Sequence, residues 1–112
     1  MPAPIVVAAV DVQLARQHWE DGARRVERAR SDPAAYARLS AQVELVAAEL
    51  RRRVGLKFTL TELARTYDHA EDWAREVLDD ARDVDDPAPV EAATVADAAF
   101  HLYARHASDY TP

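Results

Sequence analysis

Large apolar residues recur every seventh position at the start of the chain: Ile5, Val12, Trp19 and Val26. Three places after each stands a very small residue, Ala8, Ala15, Gly22 or Ala29. On an α-helix the two series form neighbouring ridges of one face, and the small ridge lets a second backbone come close. The spacing predicts a first helix over about 11–30. Its start moves towards Pro4 if residues 5–10 are helical; the alternative is an extended N-terminal segment, and so short a run fits both. Gly22 costs about 1 kcal/mol against alanine inside a helix, so a close packing contact is the expected reason for it.

Ser31-Asp32-Pro33 is a break and a restart. Asp32 suits an N-cap, and Pro33 suits the first helical position, where its missing N–H is harmless. Tyr36, Leu39, Val43, Val46 and Leu50 then follow three and four apart, the seam of a second helix ending near Val54. Arg51, Arg52 and Arg53 fall in its last turn, where positive charge suits the dipole, and Gly55 is a natural stop. So short a connection between amphipathic helices predicts an antiparallel hairpin.

Thr59 and Glu62 fit a capping box at the head of a short third helix that buries Leu60, Leu63, Ala64 and Tyr67. After a turn at Asp68-His69, Ala70, Trp73, Val77 and Ala81 mark one face of a fourth helix. An acidic, proline-containing linker is expected over 83–89. The last helix, about 90–106, carries Val95, Ala99 and Leu102 on one line and Ala96, Phe100 and Tyr103 on another. A helix apolar over so wide an arc is either central or shared with another chain. Residues 108–112 read as a loose tail. The expected fold is a single all-α domain, an irregular bundle of about five helices. A long antiparallel N-terminal hairpin is followed by two short helices and a broad apolar C-terminal helix.

Composition narrows the chemistry. The 112 residues suffice for one domain and one core, and the lack of cysteine removes disulfides and thiolate sites. Thirteen arginines against one lysine, with no asparagine, look like a GC-rich bacterial genome. The apolar run 2–10 is too short to span a bilayer and lacks a basic leader, so the protein is expected in the cytoplasm and off the membrane. The net charge of −6 is unevenly divided: ten basic and seven acidic residues precede Phe58, whereas four basic and thirteen acidic residues follow from it onwards. Either the halves attract each other or one charged face serves a partner.

The segment 59–82 resembles the helix-turn-helix of DNA-binding proteins, with Leu63, Ala64 and Val77 where such a motif buries its core. Its second helix, however, carries Glu71, Asp72, Glu76, Asp79 and Asp80 against Arg75 and Arg82. Phosphate neutralisation supplies most DNA-binding free energy, so that balance disfavours direct nucleic-acid contact and leaves a plain hairpin as the better expectation. The basic clusters at Arg24–Arg30 and Arg51–Arg53 lie at opposite poles of the first hairpin and form no stripe. None of His18, His69, His101 and His106 has a glutamate three places before it, as a bundle metal site requires. Asp97 and His101, four apart, can touch on one helix face, yet no nucleophile accompanies them.

No cofactor, metal or catalytic group is expected. The expected function is a non-enzymatic interaction module, a small regulatory or accessory protein that binds another protein or itself through helix faces. The residues assigned to that role are Trp19, Gly22 and Val26 on the first helix and Phe100 and Tyr103 on the last; tryptophan in particular is enriched at interface hot spots. The alternatives are a transcription-associated protein using 59–82, or a small-ligand carrier or enzyme whose pocket has no sequence signature.

Overall fold

Asp11 opens the first helix, its carboxylate accepting from the Leu14 amide at 3.0 Å. A computed structural model describes residues 11–81 and 91–111. Helix α1 spans Val12–Arg28, a 3-10 turn covers Ala29–Ser31, and α2 runs Pro33–Val54. Asp32 caps α2 with Pro33 in its first turn, and the chain leaves it at Gly55 with φ +85°, a left-handed conformation that glycine adopts without strain. Helix α3 is Leu60–Thr66, a 3-10 turn is Tyr67–His69, α4 is Ala70–Ala81 and α5 is Ala92–Ala104. The expectations for 5–10 and for the linker 83–89 lie outside the described residues.

The fold is all-helical, as the spacing predicts, with one difference in count. The Tyr67–His69 turn joins α3 to α4 without interruption, so the described residues form four continuous helical runs rather than five. No glycine or proline stands at 67–69 to stop the helix, and the chain only tightens from one hydrogen-bonding pattern to the other. Residues 59–81 therefore form no closed hairpin: α3 packs on α1 and α2, and α4 on α5 and α2, rather than along each other. Among the described residues no helix is long and apolar enough to cross a membrane.

Helix α5 is the centre of the bundle. Val95, Ala99 and Phe100 are fully buried, and α1, α2 and α4 all pack against α5. The hairpin of α1 and α2 is present, but its arms hold α5 between them more than they hold each other. The small-residue ridge of α1 explains this. A Cβ on Gly22 would fall on the Asp97 Cβ and within 2.9 Å of the Ala98 nitrogen, so the close neighbour the ridge admits is α5 of the same chain.

The tail differs from expectation. Ser108 N donates to the Phe58 carbonyl at 2.9 Å, and the Asp109 carboxylate accepts from the Leu60 amide at 2.7 Å. Arg16 reaches the Thr111 carbonyl at 3.1 Å and lies over the Tyr110 ring. Residues 108–111 are thus fastened to the head of α3 and to α1. The first-turn amides of α3 lack helical partners, and a carboxylate far away in sequence satisfies one of them.

Candidate interaction surface

The five residues assigned to a partner surface divide between interior and edge. Trp19 is 1% exposed; its ring stacks on Phe100 at 5.4 Å between centroids and meets Tyr67 edge-on at 5.9 Å. Phe100 is 0% exposed and also faces Trp73 of α4. Gly22 is buried against α5. These three offer no surface to a second molecule, because the helix they would have shared with a partner is α5 itself. Val26 is half-buried, and Tyr103, though mostly buried, reaches an open depression. Tyr103 stacks on Phe58 at 4.8 Å and donates to the Gly55 carbonyl, which ties α5 to the end of α2.

Of the large apolar side chains that face solvent, Leu56 and Leu102 lie together on the opposite side of α5, while Leu14 of α1 stands apart. Phe100 and Leu102 are two residues apart and so point roughly 200° apart around the helix. Leu102 is 45% exposed and separates two depressions. One, about 250 Å³, is bounded by Val26 of α1, Tyr36 and Val43 of α2, and His101 of α5. The other, about 410 Å³, is lined by Ala47, Ala48, Arg51, Leu56, Tyr103 and His106. Leu56 is 68% exposed; Leu45, 42% exposed on α2, lines neither depression. Sequence periodicity could not find this groove, since its walls come from α2 and α5, elements far apart in sequence.

A second cleft, about 310 Å³, lies on the other side, among Tyr67, Asp68, Glu71, Ala93, Ala96 and Asp97. Within it the Tyr67 hydroxyl donates to Asp97 Oδ1 at 2.5 Å. Burial pushes the Asp97 carboxyl above its ordinary range, despite the opposing effects of the Tyr67 hydrogen bond, His18 and Arg25. Burial and the Asp97 partner together push the Tyr67 phenol up as well.

Asp97 and His101 do not form the expected pair. Asp97 turns to Tyr67, while His101 lies between α1 and α2, where burial, reinforced by Arg105, holds its imidazole below the usual histidine range. Ser40 shares the depression of His101, a neighbour the sequence did not suggest, yet no hydrogen bond joins them. Ser31 and Ser108 donate to backbone carbonyls. Among the described residues no group of three or more His, Asp or Glu side chains is placed to hold a metal ion. The geometry offers an apolar groove on one side of α5 and, on the other, a cleft in which a part-buried carboxyl accepts from a phenol. Comparison of the chain with protein-family models, with curated proteins and with solved structures finds no match.

Proposed function

We propose that this chain is a non-enzymatic interaction module, a small regulatory or accessory protein of the cytoplasm that binds another protein through a helix face. The observation that carries the reading is the pair of exposed leucines, Leu56 and Leu102, that line the groove between α2 and α5. Scattered apolar residues are ordinary on a surface, but two large ones lining one depression mark a place where burial has a ready gain. Tyr103 contributes to its wall and Val26 to that of the adjoining depression, whereas Trp19, Gly22 and Phe100 fix α5 beneath. Fully burying one leucine is worth about 1.5–3 kcal/mol; Leu102 starts about half covered and contributes less, so the rest of the contact must also offset the cost of association.

The test is capture of partners by the tagged full chain from its native cytoplasm after nuclease treatment, beside a Leu102→Ser variant. A stoichiometric protein held by the parent and lost by the variant supports the reading. A parent that elutes alone as a monomer overturns it. The cleft beside Asp97 favours a second reading, a carrier of a small cationic ligand. A thermal-shift screen of amines would raise the melting temperature of the parent but not of a Glu71→Gln variant if that reading is right.

A further inference from the structure

We infer that the occupant of the α2–α5 groove is an acidic amphipathic helix of another protein, its apolar face set on Leu56 and Leu102 and its carboxylates on Arg51 and His106. The inference rests on the interaction-module reading and adds the chemistry of the partner.

The lining of the larger depression is apolar with a cationic rim. Ala47, Ala48, Leu56, Leu102 and Tyr103 supply the floor and walls, Arg51 and His106 are its charged or ionisable members, and none of its residues is acidic. Lys57 and Arg105, the chain neighbours of Leu56 and His106, are both exposed. The nearby arginines are already engaged: Arg52 and Arg53 pair with Glu49 at 2.8 and 3.0 Å, and Arg53 also covers the Trp73 ring. Arg51 makes no ion pair with any described residue, although it stands in the same turn. The cation that lines the groove is therefore the one arginine of the last turn of α2 without an ion pair among these residues; Arg38, also without one, stands well before it on α2 and lines neither depression.

One carboxylate, Glu44, lines the adjoining depression on the far side of Leu102. The net charge of the chain is −6, but α4, whose exposed side carries Glu71, Asp72, Glu76, Asp79 and Asp80, packs on the Phe100 side of α5, away from Leu102. At physiological salt the screening length is about 8 Å, so the rim governs a docking segment more than the far face does. The same rim argues against a two-fold contact with a second copy, which would set Arg51 and His106 against themselves. A helix is the form proposed, because the walls come from two packed helices, α2 and α5, and a third helix can set its side chains between them.

The probe is a designed helical peptide with leucines on one face and glutamates on the other, titrated into the isotope-labelled full chain and followed by backbone amide shifts. A second peptide carries lysine in place of each glutamate. The glutamate peptide is expected to shift the amides of Ala47, Ala48, Leu56, Leu102 and Tyr103, and to bind more weakly as salt is raised. Arg51→Glu is expected to weaken it at least about threefold, and Leu102→Ser about tenfold. Arg51 is exposed, so Arg51→Glu keeps the parent's melting temperature, whereas Leu102, just over half covered, loses a few degrees as serine and is compared well below its melting temperature.

Equal or tighter binding of the lysine peptide in the groove overturns the acidic class while leaving the interaction module standing. Groove amides that move with protein concentration alone replace the partner by a second copy. Absence of groove shifts with either peptide overturns the inference; if Leu102→Ser also retains the partner captured by the parent, the groove itself is not the working surface.

Discussion

Gly22 of α1 lies directly against the backbone of Asp97 on α5, so closely that a methyl group at position 22 has no place to go. The obstacle is the Asp97 Cβ and the Ala98 nitrogen, neither of which can swing aside as a long side chain would. Gly22→Ala gains about 1 kcal/mol of helix propensity. It also forces two packed helices apart, at about 1–3 kcal/mol or more when backbone must move. Net destabilisation is expected, read as a lower urea midpoint with an unchanged slope. A more stable variant would show that α1 and α5 do not meet so closely.

The carboxyl that receives this contact supplies the pH dependence. Burial raises Asp97 above the ordinary aspartate range in the folded chain. The native state then holds that proton more tightly than the unfolded chain does. The contribution to stability is complete below the unfolded value and is lost as pH rises through the folded one. Asp97→Asn keeps an oxygen for the Tyr67 hydroxyl and removes the buried charge. The variant is expected to be the more stable near neutral pH, its advantage shrinking towards about pH 4. Thermal melts at several pH values decide this, and a parent more stable than the variant at neutral pH would mean that His18 and Arg25 outweigh burial.

How much of this was legible depends on the range of the interaction. Breaks and caps are local chemistry, so Asp32-Pro33, Gly55 and Thr59 announce the boundaries that are found. Periodicity likewise reports that α1 has a small ridge and α5 a wide apolar arc. It cannot report who fills them. The ridge at Gly22 and the arc at Phe100 are complementary to each other, and a single sequence does not distinguish that from complementarity to a partner. Spacing alone therefore assigns Trp19 and Phe100 to an interface, although they stack on one another within the chain. The Leu102 groove and the Tyr67–Asp97 contact join elements far apart in sequence, and no spacing rule reaches across them.

Asp109 illustrates the same point with a separable consequence. Its carboxylate takes the Leu60 amide at the head of α3, where Thr59 Oγ1 already takes that of Glu62 at 3.2 Å. Loss of a capping acceptor costs about 1 kcal/mol. Asp109→Ala is expected to cost about that much globally and to raise amide exchange first at Leu60, before any change in α1. Asp109→Asn, which retains an acceptor oxygen, should recover most of it. Uniform exchange in both variants would mean that the tail does not hold α3.

Trp19 gives the sharpest distinction between a core role and a surface role. Its ring is enclosed by Phe100 and Tyr67, and its Nε1–H is buried with no partner in the described chain. An unsatisfied buried donor costs about 1–3 kcal/mol, so the site carries a penalty along with its packing gain. Trp19→Ala forfeits the packing and leaves a cavity, and is expected to destabilise by about 3–5 kcal/mol. Trp19→Phe discards the stranded N–H together with only part of the ring, so it should recover more than half of that loss. Urea denaturation of the three proteins separates the two roles. If Trp19→Ala unfolds at the parent's midpoint while partner capture falls, the indole belongs to an interface; the enclosed geometry predicts the reverse, a weakened fold whose surviving native fraction still binds through Leu102.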